Sequence, residues 1–452
     1  MKIPALIQSI LVIAFVCQVC AQEKVSLPDS PAGRLVAAYT KAYNSGNADS
    51  VREFFRSNTS REALSRASAE ERTERYQRLH DRLGSLELLR VIEAKGGYCS
   101  VLMRAERGGY FIFEFELEET SPHHLVRLMV DEADGENQQS SRKQNRAEFT
   151  ASVEALLDSL EAADQFSGVV LIAKDGKPFF QKAYGFADRE QKIPNRIDTK
   201  FNLGSINKSF TKVAIHQLVA RGKISLDDPI KKHIPDYPNK DAAEKVTVKH
   251  LLDMTSGIGD FFGPRYQSTP KENLLRIRDY FPLFADKPLE FEPGTGQRYS
   301  NGGYIVLGAI IEAASGIDYY AYARENVFKP ADMDETESYE KDKPVVNRAL
   351  GYTKRGDGSW GSNYETLPAK GSSAGGGYST AEDLLKYTIA LGKGVLRHPD
   401  AGGGMGIAGG APGLNAALDW DPRSGYAVIV LSNYDPPAAE RVARQVRQWL
   451  PR

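Results

Sequence analysis

Residues 201–211 read Phe-Asn-Leu-Gly-Ser-Ile-Asn-Lys-Ser-Phe-Thr, and they place a serine, Ser205, three positions before a lysine, Lys208. Apolar residues then recur at helical spacing, at Ile206, Phe210, Val213, Ala214 and Leu218. This pattern predicts a helix that starts at Ser205 and ends near Gly222, a residue suited to a helix C-cap. Because positions i and i+3 are neighbours on a helix, we expect Ser205 and Lys208 to project from one face.

A serine and a lysine on one helix face have the chemistry of a nucleophile and its base. A serine hydroxyl is a poor nucleophile until a nearby base removes its proton. A lysine can be that base only where desolvation or nearby charge lowers its pKa towards neutrality. A helix N-terminus also stabilises negative charge through its unpaired N–H groups. The alternative is that Ser205 is only an N-cap and Lys208 a solvated helix residue, since S-x-x-K is common in long chains.

A second segment, residues 291–308, brings further polar groups. It reads Phe-Glu-Pro-Gly-Thr-Gly-Gln-Arg-Tyr-Ser-Asn-Gly-Gly-Tyr-Ile-Val-Leu-Gly and sets Tyr299 and Asn301 just before an apolar helix predicted over 305–314. A tyrosine can relay a proton, and an asparagine amide can hold both a lysine and a substrate carbonyl. The alternative for Tyr299 is a loop tyrosine packed where two domains meet.

The order S-x-x-K then Y-x-N resembles the serine β-lactamase, D,D-peptidase and esterase superfamily, above all its class C and family VIII esterase branch. Other phrases are similar to that family: Gly185-Phe-Ala-Asp-Arg-Glu, Leu226-Asp-Asp-Pro-Ile, Leu251-Leu-Asp-Met-Thr-Ser-Gly257 and Gly375-Gly-Gly-Tyr-Ser-Thr-Ala-Glu-Asp383. The resemblance implies that Ser205 is acylated and that Lys208 takes its proton. It implies that Tyr299 protonates the leaving group or activates the deacylating water, and that Asn301 orients the substrate.

The family's third motif is Lys-Thr-Gly or His-x-Gly, and its match here is residues 406–413, Gly-Ile-Ala-Gly-Gly-Ala-Pro-Gly. The resemblance implies an oxyanion hole at Gly409 and Gly410 together with the Ser205 amide. Ile407 stands where the family has a cation, so it cannot attract a substrate carboxylate. We therefore expect a neutral ester, amide or peptide substrate. The alternative is a non-catalytic relative that binds a cell-wall fragment or regulates a partner.

The amino-terminal residues carry the pattern of a secretory signal. Lys2 precedes an apolar run over residues 3–16, and Val19-Cys20-Ala21 reads as a cleavage site. The sequence thus predicts a signal peptide over residues 1–21, a periplasmic or secreted protein, and no integral membrane segment after cleavage. Lysine and arginine number 58 against 59 acidic residues, and this balance argues against a nucleic-acid partner.

The remaining chain divides at a polar segment. Residues 131–146 lack apolar periodicity and are predicted to be a linker between domains at 22–130 and 147–452. In the first domain, two or three helices, one over about 68–83, precede four strands at 86–94, 99–106, 110–118 and 123–130. This order resembles NTF2-like (SnoaL-type) α+β domains. As an alternative for the function of the protein, this cone-shaped domain itself binds a small molecule.

The second domain is predicted to be α+β as well. A helix over 147–162 precedes a hairpin of strands 168–174 and 178–184 around Asp175-Gly176, a type I′ turn signal. Strands over 414–420 and 426–432 and a helix over 436–450 close the chain. We expect an antiparallel sheet built from both ends of this domain, flanked by helices, with a helical insertion between them.

Three remaining patterns are not expected to form functional sites. Gly371–Gly375 matches G-x-S-x-G and Gly404–Gly409 matches G-x-G-x-x-G, but neither has the flanking strand and helix its motif needs, so both are predicted to be loops. His123-His124 is predicted to be an isolated pair on a strand. The sequence indicates neither a metal nor an organic cofactor.

Overall fold

A computed structural model describes residues 25–118, 120–133, 146–398 and 404–450. The predicted signal peptide and residues 134–145 of the predicted linker lie outside the described residues. The linker prediction is wrong at its two ends, because residues 131–133 continue a strand and residue 146 begins a helix. The chain forms two compact units, divided between Arg142 and Lys143. Within the described ranges, no helix is long and apolar enough to cross a membrane.

The first unit, over its described residues, places helices before a sheet. Its helices are α1 Pro31–Asn44, α2 Ala48–Asn58, α3 Arg61–Arg66 and α4 Ala69–Leu83. Its strands are β1 Leu86–Lys95, β2 Tyr98–Ala105, β3 Tyr110–Leu117 and β4 Leu125–Ala133. The strands pair in the order β1-β2-β3-β4, each antiparallel to the next.

The helices of this unit are fixed by caps and by aromatic packing. Ser30 caps α1, Asn47 caps α2, and Ser68 with Glu71 forms a capping box at α4. The described residues of this unit form four helices where two or three were predicted, because polar caps divide this segment more often than apolar periodicity alone reveals. The helices and one face of the sheet enclose a core that includes Tyr39 and Phe113, whose ring centroids lie 6.1 Å apart. The NTF2-like assignment stays a prediction.

The prediction that His123 and His124 lie on a strand is wrong. β4 begins only at Leu125, and His123 adopts a left-handed φ of 60° in the preceding turn. Its Nδ1 lies 3.0 Å from the Glu118 carbonyl oxygen. In the part of the chain described, no group of three or more His, Cys, Asp or Glu residues is placed to hold a metal ion.

The second unit is built on a five-stranded antiparallel sheet. Its strands are β5 Gly168–Lys174, β6 Lys177–Tyr184, β13 Met405–Ala411, β14 Leu414–Asp421 and β15 Tyr426–Ser432, ordered β13-β14-β15-β5-β6. Shorter strands are β7 Phe186–Asp188, β8 Ile193–Pro194, β9 Phe201–Asn202, β10 Tyr352–Lys354, β11 Trp360–Ser362 and β12 Tyr378–Ser379. Pairing of β15 with β5 joins the two ends of the domain, which confirms the predicted α+β architecture.

Helices cover both faces of this sheet and form the insertion. They are α5 Arg146–Ala162, α6 Asn207–Ala220, α7 Ile230–His233, α8 Lys240–Lys245, α9 Val248–Leu252, α10 Pro264–Ser268, α11 Phe281–Phe284, α12 Asn301–Ser315, α13 Tyr319–Ala323, α14 Ala381–Gly392 and α15 Ala438–Trp449. α5 and α15 bury apolar residues on one sheet face, and α6 and α14 on the other. The rest of the insertion packs around α12.

Helix α6 lies between two cores. Ile206, Phe210 and Val213 pack with the sheet, whereas Ile215 and Leu218 pack with the helical insertion. The start of α6 is therefore held where the sheet and the insertion meet.

The two glycine-rich matches differ in outcome. Gly371–Gly375 is a loop, as predicted. The prediction of a loop over Gly404–Gly409 is wrong, because Met405–Ala411 is strand β13, paired along its length with β14. Backbone pairing with β14 overrides the low strand propensity of its glycines.

Candidate active site

Ser205 occupies a tight turn at the entrance to α6. Residues Gly204–Ile206 form a turn of 3₁₀ helix that continues into α6. Gly204 adopts a left-handed φ of 49°, a conformation that favours glycine. A Cβ built on Gly204 would lie 3.0 Å from the Gly410 nitrogen, so the turn lies directly against β13.

The Lys208 amine is buried beside this serine. Its Nζ donates hydrogen bonds to Ser205 Oγ at 3.0 Å, to Asn301 Oδ1 at 2.7 Å and to the Ala374 carbonyl oxygen at 2.5 Å. The amide oxygen of Asn301 and the Ala374 carbonyl can only accept. When the amine is neutral, its two hydrogens go to these two oxygens and its lone pair faces Ser205.

Burial also changes the charge state of this lysine. Loss of solvation lowers the pKa of Lys208 to about 7, against the opposing effect of the Asp260 carboxylate. A neutral amine of this kind is available near neutral pH, which is the state a general base needs.

Tyr299 is on the solvent side of the pair. Its hydroxyl lies 2.6 Å from Ser205 Oγ, and its ring centroid lies 4.8 Å from Lys208 Nζ. Burial raises the pKa of Tyr299 above its usual value, so the phenol keeps its proton at neutral pH. Tyr299 is 51% exposed, so its hydroxyl, next to Ser205 Oγ, lies at the solvent-facing side of the site.

Asn301 is the first residue of α12, whose N-cap Ser300 accepts a hydrogen bond from the Gly303 amide. Its Oδ1 faces Lys208, and its Nδ2 donates to Asp260 Oδ2 at 2.7 Å. Asp260 is absent from the residues predicted from sequence, although it follows the Leu251–Gly257 phrase by only three positions. The Ala374 carbonyl was also missed, because a main-chain group carries no sequence signal.

The free edge of β13 supplies a backbone amide to the site. Ala411 and Leu414 flank a two-residue turn and therefore form a hydrogen-bonded pair with each other. Gly410 consequently belongs to a non-hydrogen-bonded pair with Asn415, and its N–H points away from β14 towards the Ser205 turn. A Cβ on Gly409 would lie 2.0 Å from the Leu203 carbonyl oxygen and 2.7 Å from the Ser205 nitrogen. Only glycine allows this close approach.

The structure thus brings together all six residues singled out from the sequence: Ser205, Lys208, Tyr299, Asn301, Gly409 and Gly410. Ile407 lies two residues before Gly409 on β13, and therefore on the same face of the strand. Its side chain packs against the core shared by the sheet and α6.

A comparison with protein-family models matches residues 153–401 to the Beta-lactamase family. The chain belongs to this family. The family resemblance inferred from the S-x-x-K and Y-x-N motifs is confirmed.

Several characterised relatives cover parts of the chain. Penicillin-binding protein 4* of Bacillus subtilis (strain 168) is 32% identical over 201 residues, which are 44% of this chain and 43% of that protein. The matched segment therefore spans less than half of that relative. Protein flp of Staphylococcus aureus (strain MRSA252) is 32% identical over 189 residues, 41% of this chain and 38% of that protein.

Solved structures show the same fold. The penicillin binding protein from Bacillus halodurans superposes with a TM-score of 0.60 at 31% identity, covering 65% of this chain and 100% of that one. The D-amino acid amidase from Ochrobactrum anthropi SV3 has a TM-score of 0.56 at 23% identity, covering 66% of this chain and 98% of that one. The latter likeness is one of fold alone.

We predict that Gly409→Ala lowers the free energy of unfolding by about 1–3 kcal/mol, because the added methyl group forces the Ser205 turn away from β13. Thermal unfolding followed by circular dichroism checks this. The matched control is Gly406→Ala on the same strand, whose Cβ would meet only the Asp419 carboxylate, at 3.1 Å. Equal stability of the two variants would contradict the packing described.

We also predict that ester hydrolysis rises with pH through about 7, the pKa of Lys208, because only the neutral amine can accept the serine proton. The measurement is kcat/KM against pH, with the rate of Ser205→Ala subtracted at each point. A profile that is flat across neutral pH would show that Lys208 does not act as the base.

Proposed function

We propose that this protein is an exported serine hydrolase that acts through an acyl-enzyme on Ser205, with a neutral ester, amide or peptide as substrate. The observation that carries the proposal is the arrangement of hydrogen bonds around the Lys208 amine, which leaves its lone pair facing Ser205 Oγ. The predicted signal peptide supports the export part of the proposal.

In the proposed acylation step, Ser205 Oγ attacks the substrate carbonyl carbon while its proton passes to Lys208 Nζ. The negative charge on the carbonyl oxygen is stabilised by the N–H groups of Ser205 and Gly410. The tetrahedral intermediate collapses as the leaving group departs with a proton from Tyr299, whose hydroxyl is in hydrogen-bonding range of Oγ. Tyr299 recovers a proton from Lys208, so the acyl-enzyme forms with the proton count balanced.

In the proposed deacylation step, a water molecule replaces the leaving group. Lys208 takes a proton from that water, directly or through the Tyr299 hydroxyl as a relay, while the water oxygen attacks the acyl carbon. Ser205 leaves with this proton and the acid product is released. Asn301 holds Lys208 in place throughout and has an amide suited to the substrate carbonyl.

The substrate class follows from Ile407. This position lies on β13, and its partly buried, uncharged side chain packs against the core shared by the sheet and α6. A substrate carboxylate would gain no ion pair there, whereas a neutral acyl group loses nothing. The alternative, a non-catalytic protein that binds cell-wall fragments, has no need of a buried lysine beside a serine.

The test compares two esters of similar size, 4-nitrophenyl butyrate and 4-nitrophenyl hemisuccinate, with wild type and Ser205→Ala. We expect wild type to favour the neutral butyrate by about tenfold or more in kcat/KM, since the missing cation removes a charge-assisted contact. Ser205→Ala should leave only the uncatalysed rate. Equal hydrolysis by Ser205→Ala would refute the acyl-enzyme, and preference for the hemisuccinate would refute the substrate class.

A further inference from the structure

The loop before α10 is tied to the start of α12 at two successive residues. The Gly259 carbonyl oxygen accepts a hydrogen bond from Ser300 Oγ at 3.1 Å, and Asp260 Oδ2 accepts from Asn301 Nδ2 at 2.7 Å. A Cβ on Gly302 would lie 2.4 Å from the Gly259 carbonyl oxygen, so the close approach depends on glycine. Asp260 is therefore held in a fixed position against the Asn301 amide.

An asparagine amide has two orientations, and a carboxylate distinguishes them. A carboxylate can only accept hydrogen bonds, so it requires the NH₂ end of Asn301. The oxygen end must then face Lys208 Nζ, as observed at 2.7 Å. In the flipped orientation, the amide oxygen would oppose the Asp260 carboxylate and the NH₂ group would oppose the lysine hydrogens. The contact with Asp260 would be repulsive, and the contact with Lys208 would be repulsive unless the neutral amine turned its lone pair from Ser205 to the NH₂ group.

The orientation of Asn301 decides where the lysine lone pair points. With two pure acceptors, Asn301 Oδ1 and the Ala374 carbonyl, the neutral amine must direct its lone pair towards Ser205. With a flipped Asn301, the NH₂ group would donate to the lysine and occupy that lone pair.

We propose that Asp260 is a positioning residue for catalysis, which acts through Asn301 to keep the Lys208 lone pair directed at Ser205. This inference rests on the proposed function, because it concerns the lysine as a base. Asp260 acts at one remove from Ser205: it accepts hydrogen bonds from the Asn301 amide and from the Phe262 main-chain N–H, the latter at 2.9 Å.

Asp260 has a second, electrostatic effect that gives the proposal a distinctive test. The groups that face Lys208 are the Tyr299 and Tyr304 rings, Asn301 and Asp260, besides Ser205. The negative charge of Asp260 raises the pKa of Lys208, against the larger effect of burial. Removal of this charge therefore moves the acid side of the pH profile to lower pH. Loss of folding or packing alone does not produce that displacement.

The experiment measures kcat/KM against pH for 4-nitrophenyl butyrate with wild type, Asp260→Asn, Asn301→Ala and the double variant. Asp260→Asn keeps the size of the side chain but removes both the charge and the acceptor-only character. We expect the maximal kcat/KM, the plateau reached above the pKa of Lys208, to fall about 10- to 100-fold, because the lysine lone pair is no longer held in the direction of Ser205. We also expect the pH at which kcat/KM reaches half of this maximum, on the acid limb of the profile, to decrease. In the Asn301→Ala background the same substitution should leave the plateau unchanged, since the amide it orients is absent.

The control is Asp286→Asn, which removes one exposed carboxylate, paired with Arg265, away from these contacts. It should retain the wild-type plateau and acid limb. An acid limb that stays in place in Asp260→Asn, or a plateau loss of the same size with and without Asn301, would overturn the role of Asp260. A wild-type protein with no Ser205-dependent hydrolysis would instead overturn the proposed function, and this inference with it.

Discussion

The burial of one amine, Lys208 Nζ, is the constraint on which the site depends. An ammonium ion buried beside neutral partners is costly, and burial shifts the equilibrium towards the neutral amine. Neutral lysine has one lone pair and two hydrogens, and the surrounding acceptors use the two hydrogens. The remaining direction is towards Ser205, so in the proposed mechanism desolvation and hydrogen-bond geometry together direct the base at the nucleophile.

The fold provides this environment by placing α6 between two cores. The sheet packs against one side of the helix and the insertion against the other, and Lys208 is buried between them. The three partners of its amine come from the 3₁₀ turn before α6, from the start of α12 and from the loop at Ala374, which are far apart in sequence. The insertion therefore does more than enlarge the domain, because it supplies Tyr299, Asn301 and Asp260.

Much of this arrangement could be predicted from the sequence. The spacing of Ser205 and Lys208 on a helix and the position of Asn301 near the start of another are local patterns. The bounds predicted for the first and last helices and strands of the second unit agree with the structure to within a few residues. Strand β13 could not be predicted from its sequence, because a run of glycines has low strand propensity. Its strand conformation depends on pairing with β14. Sequence phrases showed its motif but not its secondary structure.

Contacts that depend on tertiary structure could not be predicted in this way. Asp260 is an ordinary acidic residue in a glycine-rich loop, and nothing local places it against Asn301. The Ala374 carbonyl is a main-chain atom that any residue would supply. The close approach of Gly409 to the Ser205 turn is likewise visible only once the strand and the helix are brought together.

The proposed activation of Ser205 by this geometry can be measured by intact-protein mass spectrometry after exposure to a fluorophosphonate. We expect a single adduct on wild type that is absent from Ser205→Ala. We also expect the adduct to persist in Ser373→Ala, which alters the buried serine of the G-x-S-x-G match. Folded wild-type protein without an adduct, or an adduct that survives in Ser205→Ala, would show that Ser205 is not the activated nucleophile.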